Sequence, residues 1–173
     1  MFCYVGDLLG FRNINLKLRQ RGQTERVSQL KQLVERGKGQ FNIDNCKLLS
    51  DTVFAGVEPS AERLKNLLDF SKYLLEKGLE NALPVRGAIA FGDATWGSVV
   101  HGKAIINAYE HAEKQNWIGA SCTKWKGPAL GMLNELWDLN PDFNTVFVYP
   151  IPMKDGRYTY LPAVSGRFLL LGI

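Results

Sequence analysis

Asp7 lies in the run YVGDLLGF and Asp51 in NCKLLSDTVFAG, each beside a small residue (Gly6, Ser50) and each enclosed by residues that favour strands. A carboxylate in such apolar surroundings is costly unless it is hydrogen-bonded or meets a positive charge. Two carboxylates brought to one point repel each other unless a cation lies between them. Oxygen ligands select hard ions, so the pair predicts Mg2+ or Mn2+, with waters and phosphate oxygens completing the shell. The competing reading is that each aspartate merely bonds to nearby backbone amides where a strand enters a turn.

Two cations accompany them. Arg86 opens a strand after Pro84 and stands beside Gly87, where a close approach is possible, and its planar fork suits a phosphate. The alternative for Arg86 is a surface arginine paired with a carboxylate. Lys47 precedes Asp51 by four residues and shares its face in an uninterrupted strand; otherwise it is a solvated strand lysine.

The remaining chemistry-bearing residues carry less. His101 and His111 are too far apart for one metal pair on a helix face, and no HExxH or paired-cysteine pattern accompanies them. Asp44, Asp93 and Glu110 suit turns and helix surfaces as well as the rim of a site. The tryptophans read as core or dimer-contact residues. Walker A, GxGxxG and GxSxG patterns are absent, which leaves P-loop, Rossmann and serine hydrolase readings unsupported.

The elements that must position these residues follow from periodicity. Phe2–Leu8 is a strand ending at Gly10. Asn15 to Glu35 has helical spacing, broken near Gly22 and stopped by Gly37 and Gly39. Residues 41–49 and 52–57 form a hairpin around Ser50-Asp51. EPSAERLKNLLDFSKYLLEKG is a helix capped by Ser60, with Leu64, Leu67, Leu68, Tyr73, Leu74 and Leu75 as its buried stripe and Gly78 as its end. PVRGAIAFGDATWGSVVHG reads as a second hairpin around Gly92-Asp93. Then come a helix (KAIINAYEHAEKQN), a strand (WIGASC), a helix (GPALGMLNELWDL) and two terminal strands. This order predicts a single α+β domain over residues 1–173, with helices on one face of a ferredoxin-like antiparallel sheet.

Composition sets the outer limits. The chain has 173 residues, 46% hydrophobic and 22% charged, enough for one proper core. No apolar run reaches the ~18 residues of a membrane span, and the N-terminus lacks a basic leader. With an odd three cysteines far apart, a disulfide framework is not expected and a cytoplasmic setting is. The formal charge of +4 suits an anionic partner, and no nucleic-acid-binding motif is present.

Three stretches together resemble class III nucleotide cyclases. YVGDLLGF resembles their opening Asp–hydrophobe–hydrophobe–Gly–Phe strand, CKLLSDTVFAG their Lys–x–x–Gly–Asp hairpin with Ser50 in place of glycine, and LPVRGAIAFGDATWG their Arg–x–Gly–Ile strand. The similarity runs to about Gly119. DLLGF, SDT, RGAIAFG and NAYEHAEKQNWIG are most similar to the bacterial antiphage (Pycsar) pyrimidine cyclases. The resemblance implies a homodimer with active sites at the interface and two Mn2+ or Mg2+ ions per site held by Asp7, Asp51 and the Leu8 carbonyl. It implies UTP or CTP as substrate, cyclic UMP or cyclic CMP as product, and a separate effector protein that reads the product. Asp7, Asp51 and Arg86 would be catalytic, with Arg86 on a phosphate or pyrimidine edge and Lys47 on substrate.

There are departures. The asparagine and arginine that purine cyclases of this class carry on the helix after the second hairpin fall at Ile106 and Glu110, so those contacts do not transfer. Lys47 falls where adenylate cyclases keep a base-reading lysine, which leaves cyclic AMP open. A catalytically inert cyclase-like module for dimerisation or nucleotide sensing is the reading from another class. A ferredoxin-like RNA-binding module would want exposed sheet aromatics and no acidic pair.

Overall fold

The first strand sets the layering. In β1 (Phe2–Leu8) the side chains alternate, so Phe2, Tyr4 and Leu8 face one side of the sheet and Cys3, Val5 and Asp7 the other. All but Asp7 are buried, the pattern of a strand covered on both sides. The computed structural model describes residues 1–10, 20–140 and 143–164, the side chains of 20–24 excepted. After β1 come α1 (Gln20–Gln40), β2 (Asn45–Leu49), β3 (Thr52–Val57), α2 (Ala61–Glu80), β4 (Val85–Phe91), β5 (Thr95–Trp96) and β6 (Val100–His101). They are followed by α3 (Lys103–Lys114), β7 (Gly119–Cys122), α4 (Pro128–Leu139), β8 (Val146–Pro152) and β9 (Tyr158–Val164).

The main sheet has seven strands in the order β2-β3-β1-β4-β7-β9-β8, antiparallel except for the parallel pair β4 and β7. Its first four strands have the ferredoxin-like order predicted from the sequence. Phe2, Tyr4, Val53, Ala55, Val57 and Ile89 pack on one face against Leu30 and Val34 of α1, Leu64, Leu67 and Phe70 of α2, and Leu133 and Leu136 of α4. Cys3, Val5 and Ala90 pack on the opposite face against Ala104, Ile105 and Ala108 of α3. The expectation of helices on a single face is therefore corrected: α3 lies alone across from the other three described helices.

Local differences from the sequence reading have physical causes. The predicted onset at Asn15 lies outside the described residues. From Gln20, α1 runs unbroken through Gly22, Gly37 and Gly39. Gly37 does not stop the helix but lets α2 come close, since a Cβ there would lie 2.9 Å from the Phe70 ring and 3.0 Å from Tyr73. Gly78 likewise stays inside α2, because a Cβ would sit 2.5 Å from the Leu83 carbonyl of the returning chain. Ser60 does cap α2, its Oγ accepting from the Arg63 amide at 3.2 Å. The first strand of the predicted first hairpin starts at Asn45 rather than Phe41.

The hairpin expected around Gly92-Asp93 does not form. β4 is taken up between β1 and β7, and the small hairpin is β5–β6 instead. Asp93 starts α3: its carbonyl accepts from Ala104 at 3.1 Å and its carboxylate from the Lys103 amide at 3.3 Å. Asp44 is also structural, bound by Arg63 at 2.7 Å. Among the described residues no helix is long and apolar enough to cross a membrane.

The β2–β3 turn is strained. Ser50 has φ 57°, a left-handed conformation that costs an L-residue roughly 1–2 kcal/mol. Ser50→Gly is expected to raise stability by about 0.5–1 kcal/mol after the added unfolded-state freedom of glycine is counted. In thermal unfolding that is a rise of about 1–4 °C.

Candidate active site

The edge of α3's coverage opens a cavity of about 380 Å3, and Asp7, Leu8, Asp51 and Arg86 all line it. Strand register brings them there. Asp7 is directly opposite Thr52 on β3 and Arg86 on β4, on the α3 side of the sheet. Asp51, one residue before β3, is held against the end of β1 by the Leu8 amide, which donates to the Asp51 carbonyl at 3.2 Å. A strand and a turn far apart in sequence thus place two carboxylates on one concave surface.

Arg86 and Asp7 form a two-pronged ion pair. Nη2 donates to Oδ2 at 3.1 Å, and Nε and Nη2 reach Oδ1 at 3.3 Å. The arginine side chain is 9% exposed and the aspartate 30%. The remaining arm of the fork, Nη1, donates to the Gln115 carbonyl at 3.1 Å. Arg86 does pair with a carboxylate, as the alternative reading had it, but beneath the surface and at the cavity wall. No cationic side chain pairs with Asp51 among the described residues.

Lys47 is placed elsewhere. The Ser50 turn interrupts the strand, so the four-residue spacing does not carry Lys47 to the cavity, and its ammonium donates to the Gly97 carbonyl in the β5–β6 loop. Ile106 is exposed on α3, and Glu110 pairs with Lys114 at 3.6 Å.

The cavity's far wall was not legible beforehand. Tyr109, Ala112 and Glu113 of α3 and Lys154 of the β8–β9 loop complete it. Helical spacing alone marks Tyr109 and Glu113 as one turn apart, but nothing in the sequence tells which face of α3 meets the sheet. Gln115, whose carbonyl meets Arg86, carried no signal in the sequence either. It is fully buried, which a glutamine at a helix end rarely is.

His111 lies at the end of α3 with Nε2 3.1 Å from the buried Ser121 hydroxyl. Burial, with a smaller push from Lys114, holds its imidazole below the ordinary 6.5. On acidification the unfolded chain takes up the proton first, so the stability supported by neutral His111 is present above about pH 6.5 and lost below it. Between about pH 7 and about pH 5 the thermal midpoint is expected to fall, and His111→Gln is expected to flatten that fall. The cysteines are poor nucleophile candidates: burial pushes the Cys3 and Cys46 thiols up to about 12 and Cys122 higher still.

No protein-family model matches the chain, and no curated protein matches it in sequence. Its shape does match solved structures. The adenylyl cyclase CyaB from P. aeruginosa superposes with a TM-score of 0.61 at 13% identity, covering 95% of this chain and 92% of that one. The guanylate cyclase domain of RhGC from Catenaria anguillulae, in complex with GTP, gives 0.59 at 9% identity over 95% and 94%. A dimeric guanylyl cyclase domain of the RhoGC fusion protein from Blastocladiella emersonii gives 0.62 at 11% identity over 95% and 95%.

The fold is that of the class III nucleotide cyclases. On this cyclase fold Asp7 lies near the end of β1 and Asp51 in the neighbouring β2–β3 turn, facing the second half of α3 across the cavity. The donor set suits a hard cation: two carboxylates, one of them without a protein cation among the described residues, on a cavity that Leu8 also lines. Among the described residues no three His, Cys, Asp or Glu side chains gather into a metal-holding group. A two-carboxylate site is what Mg2+ or Mn2+ takes when substrate phosphates and waters supply the rest.

Proposed function

We propose that this chain is a nucleoside triphosphate cyclase that makes cyclic UMP or cyclic CMP from UTP or CTP. The observation that carries the reading is the meeting of Asp7, Asp51 and Arg86 on one cavity of a cyclase fold. In the reaction the ribose 3′-hydroxyl loses its proton and bonds to the α-phosphorus of the same nucleotide. The bond from that phosphorus to the bridging oxygen breaks, and pyrophosphate leaves.

Phosphoryl transfer asks a protein mainly for positioning and charge neutralisation. Asp7, Asp51 and the Leu8 carbonyl would hold two Mn2+ or Mg2+ ions. When bound, such ions acidify the attacking hydroxyl and neutralise the departing polyphosphate. Arg86 would turn its Nε/Nη2 edge from Asp7 to a phosphate or to the base edge, keeping Nη1 on Gln115. The Asp7–Arg86 pair keeps each charge compensated until substrate arrives.

The pyrimidine choice is supported by DLLGF, SDT, RGAIAFG and the AYE…QNWIG stretch. The same resemblance supports a second-messenger role in antiphage defence, with a separate effector reading the product. A homodimer with sites at its interface is supported by exposed Leu49, Val99 and Ile106 around the cavity's side of the sheet, at 70%, 66% and 54% exposure. Lys47 lies outside its own chain's cavity, so a base-reading role for it would be played across that interface. Its position favours the second reading, an adenylate cyclase. The inert module draws on Ile106 and Glu110.

One assay separates these. The protein is incubated with Mn2+ and, separately, ATP, GTP, CTP and UTP, and the products are resolved by mass. Cyclic UMP or cyclic CMP is the expected product, cyclic AMP alone would transfer the reading to the adenylate cyclase, and no product would leave the inert module.

A further inference from the structure

Arg86 is held by more than Asp7, and the residues that hold it form a closed circuit. Gln115 is 0% exposed. Its Nε2 donates to the Gly87 carbonyl at 3.2 Å and to the His111 carbonyl at 3.3 Å. Its Oε1 accepts from the Trp117 indole N–H. The amide is thus fully satisfied, with both donor hydrogens and its oxygen in use. The same residue's main-chain carbonyl takes Nη1 of Arg86 at 3.1 Å. Trp117 in turn lies flat on Tyr149, 5.5 Å between centroids, and a Cβ on Gly119 would stand 2.9 Å from its ring. Gly119 is the register partner of Arg86 across the parallel β4–β7 pair. The Gln-x-Trp-x-Gly run therefore wraps around the strand position that carries Arg86.

We propose that Gln115 is the positioning residue for Arg86: its buried amide, locked to Gly87 and Trp117, fixes the carbonyl that retains one guanidinium nitrogen while the other edge is free to exchange Asp7 for a phosphate. This rests on the phosphate role given to Arg86 above. A satisfied amide could serve packing alone, but packing does not require the residue's own carbonyl to meet the cation of the site. The geometry makes the arginine a hinged fork with one fixed arm, so less of its rotamer freedom is lost on grasping an anion.

The test is a double-mutant cycle read by binding, using inorganic tripolyphosphate as a base-independent probe with Mg2+ in titration calorimetry on the full chain. Arg86→Met is expected to weaken binding about tenfold or more. Gln115→Leu is expected to weaken it about tenfold in the native background and less than twofold in the Arg86→Met background, because coupled residues do not add. Trp117→Phe removes only the indole donor and should move in the same direction by a smaller factor. Where Gln115→Leu does not fold, Trp117→Phe runs the same cycle. Equal losses in both backgrounds, or no loss from the variant used, would overturn the positioning role while leaving the phosphate role intact. Unchanged binding by Arg86→Met would remove the phosphate role itself, and the positioning role with it.

Discussion

Asp51→Asn is expected to lower cyclic nucleotide formation about a thousandfold or more without moving the thermal midpoint. The carboxylate has no ion-pair partner among the described residues, so its removal breaks no ion pair there. Its loss removes a cation ligand worth several kcal/mol of transition-state charge stabilisation, and each ~1.4 kcal/mol is a factor of ten in rate. Asp7→Asn should be equally inactive but should also unfold earlier. It strips Arg86, whose side chain is 9% exposed, of its charged partner. Charge-assisted bonds of this kind contribute about 1.5–3 kcal/mol, which in a chain of this length is a fall of about 3–12 °C. Turnover assays with Mn2+ and each of the four nucleotides, alongside calorimetry, check both halves. Native turnover by either variant would remove the carboxylate pair from the chemistry.

A loss of stability of comparable size is expected from Gly87→Val. The Tyr4 ring lies across the helix-covered face of β1 and β4 so closely that a Cβ on Gly87 would be 2.5 Å from it, and one on Gly6 2.1 Å from its hydroxyl. Tyr4 is 1% exposed and meets Phe70 edge-on at 6.2 Å, so the ring has nowhere to go. Overpacking of this sort costs about 1–3 kcal/mol or more, a fall of about 2–12 °C in the midpoint. Because Gly87 adjoins Arg86 and its carbonyl anchors Gln115, phosphate binding should weaken in the same variant. An unchanged midpoint would mean that the Tyr4 ring is not the constraint it is taken to be.

The sequence revealed those parts of the molecule that depend on local chemistry. β1, the Ser60 cap and most of the α2 stripe follow from alternation, capping and helical spacing and stand where expected, although Phe70 is buried in place of Tyr73, which is half-buried. Pairing between distant strands was harder. β4 looked like half of a hairpin because Gly92-Asp93 is good turn chemistry, but β1 and β7 compete for both its edges and win. The side of the sheet on which α3 lies depends on the crossover from β4 to β7, which no local pattern encodes. Of the site, the acidic pair and Arg86 were visible as charged residues in strand-forming surroundings. Gln115 was not, because an uncharged amide at a helix end looks like any solvated surface residue until its neighbours are known. The Lys47 spacing failed for a definite reason: Ser50 turns the chain between it and Asp51.

The two layers beneath the sheet's opposite faces each contain one sealed sulfhydryl. Cys3 is covered by α3, and Cys122 lies in the layer shared with α2 and α4. Alkylation by a small reagent can reach either only when its own layer lifts. Labelling rates at these positions, read separately by mass, would therefore time the opening of the lone helix over the cavity independently of the opening of the three-helix side.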